Sequence, residues 1–219
     1  TSIFDTYIVN SLNNSGHLSV ILFSLTIGGM VAVISRNGGM AGVVVVLSKY
    51  AKSARSSQLV TWLLGILIFF DDYANTLVVG NTMRPVTDKF NVSREKLAYI
   101  VDSTAAPVAS IAFITTWIGA ELGYINDARL SIGIEEGAYS IFVNSLQYAF
   151  YPILTLVFMF MLIYFQKDFG PMYKAETKAR TLGIDDAEII EDAELQKLNP
   201  KDALNTNYWN ALLPVLTVV

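Results

Sequence analysis

Long uncharged runs alternate along the chain with short charged ones. Leu18–Ser35 is 18 uncharged residues, about 27 Å as a helix at roughly 1.5 Å per residue, enough to cross a bilayer. Ala138–Gln166 is also uncharged and longer, with Pro152 placed to kink it. Two further apolar stretches are interrupted. Leu59–Phe70 runs into Asp71 and Asp72 and resumes as Tyr73–Met83; Leu97–Val101 meets Asp102 and continues through Ser103–Ala120. The segment Asn37–Ser48 is short and Gly-rich, which predicts an interfacial or surface-lying piece rather than a crossing. Tyr208–Val219 reads as the first part of another span, so the chain reads as an excerpt of a longer protein.

Lys and Arg positions decide how these segments sit. If every apolar stretch crossed once, the 15 basic residues would divide ten to five between the two sides. If 59–82 enters and leaves by one face, then 36–58, 83–96 and 167–207 share a side, and only Arg129 lies opposite. The positive-inside rule favours the second layout. Length agrees: Leu59–Phe70 spans about 18 Å as a helix, enough to reach mid-bilayer but not to cross it. The predicted fold is therefore an all-α polytopic membrane protein with spans near 18–35, 97–120 (broken) and 138–166. A re-entrant hairpin occupies 59–82, so that residues 1–166 form the transmembrane region. Residues 167–207 follow as an acidic cytoplasmic loop, 121–137 lie outside, and 208–219 start a further helix. Within the acidic loop, Asp185 and Glu188 are spaced as a capping box, with Ile189, Ile190, Leu195 and Leu198 as one apolar stripe.

Composition narrows the chemistry. Only 16% of residues are charged and 53% are apolar, which argues against a cytosolic globular domain. A formal charge of −4 offers no basic surface for nucleic acid, and the absence of Cys excludes disulfides and thiolate metal sites. What remains are three carboxylates inside apolar runs: Asp71, Asp72 and Asp102. An aspartate at a helix centre costs about 2.5–3.5 kcal/mol on insertion scales, so each needs a partner or a purpose. The neighbours are oxygen-bearing: Asn75, Thr76, Asn81 and Thr82 after the first pair, Ser103 and Thr104 after Asp102. Such hard ligands suit a small hard cation. A carboxylate removed from water also takes up a proton more readily. One group that binds either species couples the two by competition. Pro107, five residues beyond Asp102, would free a backbone carbonyl near a helix break. Arg84 and Asp88, at i,i+4, could pair at the membrane surface or serve as a gate.

Three runs carry a resemblance: Phe69-Phe-Asp-Asp-Tyr-Ala-Asn-Thr76, Gly80-Asn-Thr-Met-Arg-Pro85, and Arg94 through Ser110 with Asp-Ser-Thr-Ala-Ala-Pro at 102–107. Together with Phe169-Gly-Pro-Met-Tyr-Lys-Ala-Glu176 and Trp209-Asn-Ala-Leu-Leu-Pro214, they resemble the NhaC family of sodium/proton antiporters. The resemblance implies one unit of an inverted-repeat transporter in the cell (inner) membrane, exporting Na⁺ against protons. No cofactor, no enzymatic activity and no nucleic-acid partner is implied, and a homodimer is left open. It places Asp71, Asp72, Asn75 and Thr76 as hairpin-tip ligands and Asp102, Ser103 and Thr104 as broken-helix ligands, with Na⁺ at the three aspartates. Asn81, Thr82, Arg84, Asp88 and Pro107 then have gating or structural roles. Relatives that exchange organic anions or amino acids give the second reading. An intramembrane aspartyl protease is a distant third, because Asp102 lacks the Gly-x-Gly-Asp context.

Overall fold

The computed structural model describes residues 9–13, 15–184 and 206–218. Every regular element among them is helical. A single turn, α1 (Asn10–Asn13), precedes α2 (Ser15–Arg36), which covers the first predicted span. Then follow α3 (Gly39–Ser48), α4 (Ala54–Leu67), α5 (Asp72–Lys89), α6 (Arg94–Ala109), α7 (Ile118–Ser131), α8 (Ala138–Ser145), α9 (Phe150–Phe165), α10 (Gly170–Leu182) and α11 (Trp209–Val218). The predicted capping box at Asp185 and Glu188 lies outside the described residues.

Local sequence explains the starts of the central helices. Ser53 opens α4 through a capping box, its hydroxyl accepting from Ser56 N at 3.1 Å while Ser56 Oγ accepts from Ser53 N at 2.8 Å. Asp71 caps α5 by accepting Ala74 N at 2.7 Å, and Ser93 caps α6 by accepting Lys96 N at 3.1 Å. These three helices pack on one another and make the centre of the molecule. Leu64, Val79, Met83 and Val101 meet there, fully or almost fully buried, and Met40 and Val44 of α3 join them.

At one crossing a side chain of α6 lies directly against the backbone of α4. A Cβ on Gly65 of α4 would lie 2.0 Å from Thr104 Oγ1 of α6, so only glycine fits. The same device joins α3 to α11, where a Cβ on Gly42 would lie 2.4 Å from Tyr208 N and one on Gly39 2.6 Å from Ala211 N. Thus one face of α3 packs inward, while Val45 and Val46 on the other remain exposed. Its glycines make that packed face possible, because they admit the backbone of α11 and of the two residues before it.

Three other expectations change. Only 132–137 of the anticipated loop 121–137 lacks regular structure, since α7 continues to Ser131 despite Glu121, Asp127 and Arg129. The run 138–166 is not one kinked helix. It divides at Ala149, and Pro152 sits in the first turn of α9, where its missing N–H costs nothing. Helix α8 packs on α7, whereas α9 packs on α4 and α6 through Met159, Ile163 and Ile100. Finally, α6 runs unbroken through Asp102 and Pro107, and the break comes at Ser110–Trp117. Proline's ring acts on the preceding turn, and Ser110 Oγ donates to the Pro107 carbonyl at 2.9 Å as the helix ends.

By length and composition, Phe150–Leu182 is the one helical stretch among the described residues apolar enough to cross a membrane. A second is obtained if Gly28–Ile34 and Gly39–Ser48, bent by 56°, count as a broken span. Large apolar side chains of α9, from Phe150 to Phe165, are mostly exposed, as a lipid-facing helix requires.

At the end opposite the α4–α5 connection, Lys96 and Asp168 form a buried ion pair. Lys96 is completely buried, although it reads as a loop cation in the sequence. Glu176 of α10, also buried, accepts Ser93 N at 2.7 Å and Arg180 Nη2 at 3.2 Å. Removing one partner of such a pair leaves a stranded charge, so Lys96→Met should cost about 3–5 kcal/mol, whereas Lys96→Met with Asp168→Leu should be near neutral. Thermal unfolding of both variants in detergent checks this, and equal losses would contradict it.

Candidate functional site

Four helix ends converge where α4 gives way to α5 and α6 gives way to α7. The α4–α5 connection, Ile68–Asp71, and the first residue of α5 are held against the α6–α7 connection by three hydrogen bonds. Thr116 N donates to the Phe70 carbonyl at 3.0 Å. Thr116 Oγ1 donates to Asp71 Oδ2 at 3.2 Å, and Trp117 Nε1 donates to Asp72 Oδ1 at 3.2 Å. Both tip carboxylates, each half-buried, therefore turn toward residues 45 positions further on.

Asn75 stabilises the tip from within. Its amide donates to the carbonyls of Gly65 at 2.6 Å and Ile68 at 3.2 Å, satisfying acceptors that α4 leaves open at its C-terminus. The side chain is fully buried, and its Oδ1 has no hydrogen-bond partner among the described residues. A buried acceptor left open is costly and points to a donor or cation beyond these residues. The ends of α4 and α6 bring partly negative carbonyls to this place, and the starts of α5 and α7 bring partly positive amides.

The other predicted residues divide into two groups. Ser103 and Thr104 are buried, and Thr104 Oγ1 is spent on the carbonyls of Ile100 and Val101 at 2.9 and 3.1 Å and on the Gly65 crossing. Asp102 is exposed on the neighbouring face of α6 and lines a cavity of about 610 Å³ with Thr76, Gly80, Arg84, Arg94 and Tyr99. No three acidic or histidine side chains converge as metal ligands among the described residues, so the three aspartates do not form a single ligand set. From Asp72 to Gly80, beside which Asp102 lies, is about 12 Å along α5. Asn81 is exposed and bonds the Leu77 carbonyl at 2.7 Å, while Thr82 is half-buried. Asp88 makes its ion pair with Arg94 at 3.7 Å, across the α5–α6 turn.

Sequence reasoning missed Thr116 and Trp117, together with Thr115, whose buried hydroxyl accepts Trp117 N at 3.1 Å. Glu121, one turn after Trp117, gives no sign of its burial in the sequence either. That residue is half-buried, with Oε2 buried and without a hydrogen-bond partner among the described residues.

A family model described as the Na⁺/H⁺ antiporter family matches residues 108–218, from the end of α6 through the α6–α7 connection to α11. The chain belongs to that family. The matched region supplies Thr116 and Trp117, while the tip and Asp102 lie before it. An uncharacterized protein of Haemophilus influenzae is 29% identical over 206 residues, covering 94% of this chain and 38% of that protein. The chain thus spans well under half the length of this relative. No solved structure matches the chain.

Proposed function

We propose that the junction of the α4–α5 tip with the α6–α7 connection is the ion site of a secondary sodium/proton antiporter, at which Na⁺ and protons compete. Asp71 and Asp72 carry the exchangeable charge, and Asn75 Oδ1 and Thr116 Oγ1 supply neutral oxygens. The observation that carries the reading is the pair of tip carboxylates drawn onto Thr116 and Trp117 beside the open Asn75 acceptor. Two carboxylates neutralise a monovalent ion with charge to spare, so a proton on one of them remains compatible with the site until Na⁺ displaces it. Family membership supports the cation/proton class. NhaC-type specificity rests on the motifs at 69–110.

In this reading α4 and α5 enter and leave the inner membrane by the cytoplasmic face, with 36–58, 83–96 and 167–207 inside and the end of α7 outside. Irregular backbone at Ile68–Asp71 is tolerated at membrane depth because it is packed in protein. Asp102 and Thr76, in the cavity between α5 and α6, would line the route between the site and the cytoplasm. Cysteines replacing the exposed Arg55 and Lys89 should both be labelled from the cytoplasmic face only. Labelling from opposite faces would replace the hairpin with a crossing.

A second reading, exchange coupled to an organic anion, is favoured by one observation: Arg84 and Arg94 line the same cavity as Asp102. Full-length protein in inverted vesicles separates the two. Proton movement driven by Na⁺ alone supports the first, and movement only when a malate- or lactate-type anion is present supports the second.

A further inference from the structure

Residues 167–182 carry four cations and two acids, a modest excess in the sequence. The structure sorts them. Both acids are buried and engaged: Asp168 with Lys96, and Glu176 with Ser93 N and Arg180. All four cations, Lys167, Lys174, Lys178 and Arg180, are exposed. At about 100° per residue, Lys174 and Lys178 each lie about 200° around α10 from Glu176, so they point away from the packed face. Within 167–182 the exposed charges are therefore all cationic, with Glu95 at the start of α6 the exposed acid next to Lys96.

Its neighbourhood is amphipathic in the manner of a membrane interface. Helix α9, with its exposed apolar flank, ends at Phe165. Tyr164, Phe165, Phe169 and Tyr173 are all more than half exposed around the corner. Arg55, also exposed, lies over the Tyr164 ring at 5.9 Å from its centroid and adds a fifth cation at the same level. Exposed aromatics next to exposed cations, directly after an apolar helix, match the headgroup zone of a bilayer.

We propose that the α9–α10 corner is a docking surface for anionic phospholipid headgroups, with Arg55, Lys167, Lys174 and Lys178 as the phosphate-facing cations. The inward-turned Asp168 and Glu176 have a part in this: paired with protein groups, they are withheld from the surface, where they would repel an anionic headgroup. Cation clusters immediately beside a span attract acidic lipids through short-range electrostatics that salt screens.

The test uses the full-length protein reconstituted in phosphatidylcholine vesicles containing traces of spin-labelled phosphatidylglycerol or phosphatidylcholine. The wild type should immobilise the phosphatidylglycerol label severalfold more than the phosphatidylcholine label. Replacing Lys167, Lys174 and Lys178 by Gln should lower that preference at least threefold, as should raising salt from about 50 to 500 mM. Lys197→Gln with Lys201→Gln should leave it intact. Sodium-dependent proton movement reports separately on the ion site, so its loss or retention does not bear on the lipid result. An unchanged preference in the triple variant would overturn the proposal. So would a wild type without preference that acquires one once the acids of 185–194 are neutralised, because the chain's own acidic stretch would then occupy the surface.

Discussion

Asp71→Asn should reduce sodium-driven proton movement by a hundredfold or more in inverted vesicles carrying the full-length protein, while the protein stays folded. That combination is possible because Asp71 does two things. Its Oδ1 caps α5 through Ala74 N, and its Oδ2 meets Thr116. Asparagine caps a helix about as well as aspartate, so α5 keeps its start. It carries no charge and takes up no proton, so the competition ends. Asp71→Ala should lose the cap as well, adding a cost of about 1 kcal/mol to the loss of exchange. The same logic orders the other acids. Asp72→Asn should come close to Asp71→Asn in effect, and Asp102→Asn should fall well short of both, since Asp102 is exposed in the cavity beside α5. Normal exchange by Asp71→Asn, or a complete loss confined to Asp102→Asn, would move the site out of the tip.

The second large effect concerns stability. Gly65→Ala should destabilise the folded protein by about 1–3 kcal/mol, the range for overpacking, and Gly65→Leu should prevent recovery of folded material. The alanine methyl would overlap Thr104 Oγ1, and a Cβ there would also lie only 2.5 Å from Thr104 Cβ. Neither helix yields cheaply. Thr104 is bonded to its own helix, and the Gly65 carbonyl holds the Asn75 amide. Thr104→Gly clears the overlapping atoms and should restore part of the loss in the double variant, as read from thermal unfolding in detergent. A Gly65→Ala protein as stable as wild type would mean that α4 and α6 do not cross this closely.

Much of the helical organisation was legible from the chain, because uncharged runs and Asx or Ser caps are local signals. The tip announced itself through Asp71 and Asp72, two adjacent acids in an apolar stretch. Thr116 and Trp117 gave no comparable sign. Ser103–Ala120 holds no charge, so its hydroxyls look like those of any span. The one available hint was the cluster Ser110, Thr115 and Thr116 just beyond Pro107, where a helix has lost support. The sequence therefore points to a break at Asp102–Pro107, although the proline ring constrains the turn before it and the helix fails only after Ala109. Buried partners were hidden for a different reason. Lys96 meets Asp168 across 72 positions and Ser93 meets Glu176 across 83, and no periodicity reports a pairing at that separation. Charge counting placed all four outside the membrane core and left their burial undetected. It failed in the same way for α7, whose acids suggested a loop in a segment that is helical to Ser131.

The glycine contacts of α3 carry one more implication. Because Gly39 and Gly42 bring the backbone of α11 against that of α3 with no side chain between them, the joint has no rotamer that could adjust to accommodate sliding. A displacement of α11 would therefore press on the backbone of α3 rather than on a side chain that could move aside. The late part of this chain is in that sense coupled to its beginning, although some 160 residues separate α3 from α11 in sequence.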